Sequence, residues 1–160
     1  QWTFPEYGSS NYNPDYNCWI RIPGTSIDYQ AVWGKDDKYY LDHGFNGEKQ
    51  SGGTIFADSQ NIPFVSANTI FYGHNMKDGS MFGDLKKYRD PGFLKEHPNV
   101  EIFYQGQWIT CPIILAKVTD ETDGTPYQKG ERKILTLSTC YGTSKRMILQ
   151  ALNPVAGGMN

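Results

Sequence analysis

Eight short runs rich in β-branched and aromatic residues, set between clusters of Gly, Pro, Asn, Asp and Ser, constrain this chain more than any other feature. They are Cys18–Pro23, Ile27–Trp33, Thr54–Asp58, Asn68–Tyr72, Val100–Tyr104, Trp108–Val118, Lys133–Cys140 and Arg146–Leu152. Such runs suit pleated, half-buried surfaces, and their close spacing predicts a mainly β protein, either a sandwich or a closed barrel. Helical signals are few. Met81, Phe82, Leu85 and Tyr88 form one apolar stripe with Lys86, Lys87 and Arg89 outside it, Asp36–Asp42 allows a single turn, and Asp90-Pro91 looks like a cap and first position for a short helix that Pro98 stops. Gly24-Thr25 predicts a tight turn between the first two strands, and Gln105-Gly106 a hairpin in which the glycine takes a positive φ.

A length of 160 residues fits one domain with a substantial core. Fifteen basic residues are interleaved with seventeen acidic ones for a net charge of −2, so no basic face for a phosphate backbone is expected, and nucleic acid is excluded as a partner. No apolar run is long enough to cross a bilayer, and Gln1-Trp2-Thr3-Phe4-Pro5 looks like neither a signal peptide nor an initiator start, which suggests a piece of a longer protein. Residues 1–16 have no sustained period and read as a loose lead-in. Ser59–Ala67 and the polar, mobile-looking stretch Thr119–Lys133 read as loops bordering a site. Within the second, Asp120-Glu121-Thr122-Asp123-Gly124 lacks the alternating acids and closing glutamate of a calcium loop.

Three cysteines leave at least one thiol free whatever the other two do. Cys111 lies in an apolar run where a core role is the default, and a Cys18–Cys111 bridge is the lesser alternative. No metal-binding cluster and no Cys-x-x-Cys pair is present, so no metal or other cofactor is expected. Cys140 differs from the other two in ending a strand just before the turn-like Tyr141–Lys145. By default a free cysteine is a small buried hydrophobe. Two neighbours in the pattern argue otherwise: His74 closes the run Thr69-Ile70-Phe71-Tyr72-Gly73, and Arg146 opens the last strand. A base or cation beside a thiol favours the thiolate, an imidazole can protonate a leaving amine, and a guanidinium can donate to an oxyanion. Together they suggest acyl transfer through a thioester. Of the other histidines, His43 precedes a glycine in a turn and His97 ends a helix, where surface roles suffice.

Thr136-Leu137-Ser138-Thr139-Cys140 resembles the sortase signature, and Tyr72-Gly73-His74-Asn75-Met76 resembles the histidine motif of class B sortases. The resemblance extends to Trp19–Thr25, Tyr39–Leu41 and Lys77–Leu85, and covers most of residues 14–153. It implies a closed β-barrel of about eight strands with short helical insertions, a catalytic domain over residues 17–155, and a tail at 156–160. It also implies catalytic Cys140, His74 and Arg146, with Arg132 the alternative arginine, and substrate contacts from Tyr72, Ser138, Thr139 and Asp58. The expected reaction cleaves a C-terminal sorting motif of an exported protein after its threonine and passes the acyl group to an amine of peptidoglycan precursor or of a pilin lysine. Such enzymes are anchored in the membrane on the outside of Gram-positive cells. The chain departs from the pattern twice: Arg146 follows Cys140 by only six positions, and 119–133 lacks the longer, helix-bearing insertion common in class B. Two other readings stay open, a cysteine peptidase that releases the acyl group to water and a wall-binding β module in which Cys140 is inert.

Overall fold

A computed structural model describes residues 13–141 and 144–154, and of Cys140 and Tyr141 the backbone alone. Most of the expected lead-in, Gly142, Thr143 and the tail lie outside the described residues. Eight strands, β1 (Tyr16–Arg21), β2 (Asp28–Val32), β3 (Ile55–Ala57), β4 (Asn68–Tyr72), β5 (Asn99–Tyr104), β6 (Gln107–Asp120), β7 (Ile134–Tyr141) and β8 (Lys145–Leu152), close into one barrel in the order β1-β2-β3-β4-β7-β8-β6-β5. The pairs β2/β3 and β4/β7 are parallel and the rest antiparallel. Closure leaves no edge strand exposed.

Alternation along the strands fills the interior. Ile20 on β1, Phe71 on β4, Val100 and Ile102 on β5, Leu135 and Leu137 on β7, and Met147 and Leu149 on β8 all join one buried cluster. Cys18 and Cys111 are fully buried within that cluster as free thiols, so the bridge considered from sequence is not formed. At the β5–β6 hairpin both loop residues, Gln105 (φ 51°) and Gly106 (φ 82°), are left-handed, a two-residue turn whose twist matches that of the strands it joins. Only the glycine was expected there.

The apolar stripe at Met81–Tyr88 forms a 3-10 helix, Gly83–Arg89, and the helix α1 (Pro91–Glu96) follows with Asp90 accepting from Gly92 N–H at its cap. Phe82, Leu85 and Tyr88 recur every three residues and are all buried, which is the period at which a 3-10 helix stacks its side chains on one line. Asp84 fastens this helix to the β1–β2 turn, accepting from Ser26 N–H at 2.7 Å beside Lys87 at 3.5 Å. Burial alone would raise its pKa, but the Ser26 hydrogen bonds and the Lys87 charge outweigh it and hold the carboxyl below its ordinary value of 3.8. A depressed pKa contributes stability above the ordinary value that is lost as pH falls through the folded-state value. Asp84→Asn is therefore expected to cost about 1–2 kcal/mol at neutral pH. Urea titrations should show this gap closing as pH falls below 3.8 and through the folded-state value; a gap independent of pH would mean that the charge contributes nothing.

Polar side chains pin the loop after β6, which the sequence presents as mobile. Pro126 is buried and its carbonyl accepts from Asn68 Nδ2 (2.9 Å) and Gln150 Nε2 (3.0 Å); Gln128 C=O accepts from Asn68 Nδ2, and Tyr127 and Ser138 share a hydrogen bond of 2.8 Å between their hydroxyls. Asn68 also accepts from Thr136 Oγ1 at 2.7 Å. Buried amides and hydroxyls of β4, β7 and β8 thus meet their hydrogen-bonding needs by holding the loop. The lead-in is likewise anchored where it can be described: Asn13 Nδ2 donates to Tyr40 Oη and to Phe45 C=O, and β1 begins at Tyr16, one residue before the boundary expected from sequence.

Candidate active site

Strand register brings the chemistry-bearing positions together. In the parallel pair β4/β7, Tyr72 faces Ser138, and Gly73 N–H donates to Ser138 C=O at 3.2 Å, so His74 and Cys140 each lie two residues beyond a matched pair. In the antiparallel pair β7/β8, Cys140 stands directly opposite Arg146. Three neighbouring strands, about 4.8 Å apart, therefore present His74, Cys140 and Arg146 side by side at one end of the barrel. The side chain of Cys140 lies outside the described residues. Arg132 belongs to the other end of β7, roughly 25 Å of extended chain away, where it borders a surface depression with Ile114 and Gln150.

A cleft of about 330 Å³ opens at this end, lined by Asp37, Leu41, Phe56, Tyr72, Gly73, His74, Ser138, Thr139 and Arg146. Gly73 has a packing reason: a Cβ there would lie 2.5 Å from Ile55 Cδ1 and 2.7 Å from the Phe82 ring, so only glycine lets the chain leave β4 this close to the core. His74 is half-buried, and its own carbonyl accepts from Phe82 N–H at 2.8 Å. Its Nε2 sits 2.6 Å from the Leu41 carbonyl. A carbonyl only accepts, so Nε2 carries the proton, and in the neutral ring Nδ1 holds the lone pair. His43 and His97 are occupied elsewhere. His43 stacks on Tyr39 with Nδ1 2.8 Å from Tyr39 C=O, and His97 stacks on Phe93 with Nδ1 3.2 Å from Phe93 C=O; neither lines the cleft.

Tyr72 forms one wall. Its hydroxyl donates to Asp58 Oδ2 at 3.2 Å, and burial, followed by the nearby Asp58 carboxylate, pushes the phenol well above 10, so the group stays a donor at physiological pH. Asp58 stands behind Tyr72 rather than on the cleft wall. Ser138 is buried and hydrogen-bonded to Tyr127. Thr139 is 3% exposed, lines the cleft, and its Oγ1 finds no hydrogen-bond partner among the described residues. A buried hydroxyl left unpaired costs about 1–3 kcal/mol, an energy that a ligand's polar group can recover. Sequence reading passed over Asp37, Leu41 and Phe56. Phe56 and Leu41 look like ordinary strand and turn residues, and the part Leu41 plays through its backbone carbonyl leaves no mark in side-chain chemistry.

Comparison with known proteins bears on this arrangement directly. The sortase domain matches residues 20–153. The chain is 40% identical over 171 aligned positions to sortase B of Listeria monocytogenes, covering 86% of this chain and 69% of that protein. Its fold superposes on the solved sortase B of Listeria monocytogenes with a TM-score of 0.80 at 34% identity, over 89% of this chain and 97% of that one. Superposition on sortase B of Clostridium perfringens also gives 0.80, at 30% identity, over 89% and 96% of the two chains. A family match over nearly the whole barrel, joined to this identity and this superposition, means that the chain belongs to the sortase family, a cysteine transpeptidase with class B relatives.

Proposed function

We propose that this protein cleaves a C-terminal sorting motif of an exported protein after its threonine and transfers the acyl group to an amine, with Cys140, His74 and Arg146 as the catalytic residues. Cys140 thiolate adds to the threonine carbonyl, Arg146 donates to the oxyanion, and His74 gives a proton to the departing amine as the C–N bond breaks, leaving a thioester. An incoming amine then attacks the thioester, His74 takes its proton, and the C–S bond breaks to release Cys140. The single observation that carries this reading is the register, which brackets Cys140 between the strand ends that bear His74 and Arg146. Tyr72, Ser138 and Thr139 contact the motif along the cleft, with the unpaired Thr139 hydroxyl meeting a substrate carbonyl or amide, while Asp58 acts by holding Tyr72.

The acceptor is an amine of peptidoglycan precursor or of a pilin lysine, and the enzyme works on the outer face of a Gram-positive membrane, as a sortase must to meet exported proteins and wall precursors. Among the described residues no helix is long and apolar enough to cross a membrane. The test is mass spectrometry of the products from a library of sorting peptides, with and without candidate amines. Amide products that appear only with amine support the reading; free acid formed equally with and without amine makes the protein a peptidase, and no turnover at all with an inert Cys140 makes it a binding module. His74→Ala is expected to lower the rate roughly a hundredfold or more. Near-normal turnover of that variant would remove His74 from the chemistry.

A further inference from the structure

The Leu41 carbonyl that meets His74 belongs to a 3-10 turn, Tyr39–Leu41, held unusually firmly for a surface connection. Tyr40 is buried at its centre. Its hydroxyl donates to Asp15 Oδ2 at 2.8 Å and accepts from Asn13 Nδ2 at 3.0 Å, and burial pushes the phenol up to about 12, so it remains a donor. Thr54 N–H donates to Tyr40 C=O at 3.0 Å and Thr54 Oγ1 to His43 C=O at 2.9 Å, clamping the turn from the strand side. With the Tyr40 carbonyl committed to Thr54, the next carbonyl, of Leu41, is the one aimed at His74. Gly53 makes this approach possible: it has φ 63°, and a Cβ there would lie 2.1 Å from the Tyr40 carbonyl oxygen and 2.7 Å from that of Leu41. Both obstacles are backbone atoms, which cannot swing aside as a side chain would.

We propose that this turn is the orienting element of the site, with Leu41 and Gly53 as positioning residues: the Leu41 carbonyl fixes His74 as the Nε2–H tautomer, so that Nδ1 is the nitrogen that moves the proton of the reaction. The inference rests on the reading of His74 as acid and base. It gives a site in which no carboxylate among the described residues lies against the imidazole a third group to fix the ring, the part an acidic residue plays in other nucleophile–histidine pairs. Asp37 is the acid among the described residues on the cleft wall, and its carboxylate accepts from Ser59 N–H instead.

Nitrogen-15 NMR of histidine-labelled protein, with the His74 signals assigned by their loss in His74→Gln, reads the tautomer without any turnover. Protonated Nε2 and unprotonated Nδ1 are expected in the neutral ring; the reverse tautomer, or an even mixture, overturns the proposal even if the enzyme is a fully active transpeptidase. Kinetics give the second arm. In Gly53→Ala, kcat is expected to fall about ten- to a hundredfold with KM within about twofold, because a displaced ring misplaces the proton rather than the substrate. The milder Tyr40→Phe, which keeps the ring packing and deletes the hydroxyl, is expected to lose a few-fold in kcat and to show a mixed His74 tautomer. Equal kcat and an unchanged tautomer in a folded variant of either kind would show that the turn is mere scaffold. If wild type forms no thioester, the transpeptidase reading fails, and the tautomer measurement still decides the geometry.

Discussion

Cys140→Ala is expected to abolish both thioester formation and turnover, because the chain's other two thiols are neither reachable nor readily ionised. Cys18 and Cys111 are fully buried in the barrel core. Burial pushes the Cys111 thiol up to about 12, and it raises Cys18 well above 9, with Cys111 adding to the effect. A thiol with a pKa near 12 is ionised in about one molecule in 10⁵ at neutral pH, and its burial bars an alkylating reagent as well. Iodoacetamide on the folded protein should therefore add one label, at Cys140, and Cys140→Ala should take none. Cys18→Ala and Cys111→Ala should lose some packing while keeping the chemistry. A covalent adduct between Cys140→Ala and a sorting peptide would sink the assignment.

The second large effect is expected at Arg146. Arg146→Lys keeps the charge and removes the planar fork, and losing one oxyanion donor typically costs about 2.7–4 kcal/mol, on the order of a hundred- to a thousandfold in kcat. Arg132→Lys should be close to wild type, since that residue sits beside Ile114 and Gln150, away from the cleft. Each substitution conserves charge, so the comparison isolates position. If Arg132→Lys is the crippled enzyme and Arg146→Lys is nearly normal, the tight return from β7 to β8 does not bring the working arginine to the thiol. Unfolding of Arg146→Lys, checked by its melting curve, would separate a structural loss from a catalytic one.

The strands were legible in the sequence because alternation is a local signal: Cys18 and Ile20 on the first, or Leu135 and Leu137 on the seventh, point inward at a two-residue period whatever their neighbours do. The helix cap at Asp90 with Pro91 was legible for the same reason, the donors it serves being within three residues. Period alone misjudged the stretch at Gly83–Arg89, where residues at 82, 85 and 88 fit a 3-10 helix and an α-helical stripe almost equally until packing chooses. Composition likewise made 119–133 look mobile, since what pins it comes from Asn68 and Gln150, distant in sequence.

The sequence by itself determined the number and period of the strands, the family, and the three residue types that a thioester mechanism needs, because each of these is written in side-chain identity at short range. Only the tertiary structure decided which strands are neighbours. The parallel pairing of β4 with β7 joins segments more than sixty residues apart, and that single non-local choice sets His74 beside the end of the cysteine strand while β8 returns Arg146 to its other side. The same holds for the Leu41 carbonyl on His74 and for Gly53 beneath it: backbone groups are chemically identical at every position, so their meaning arises only when the barrel closes and brings one particular carbonyl to one particular ring.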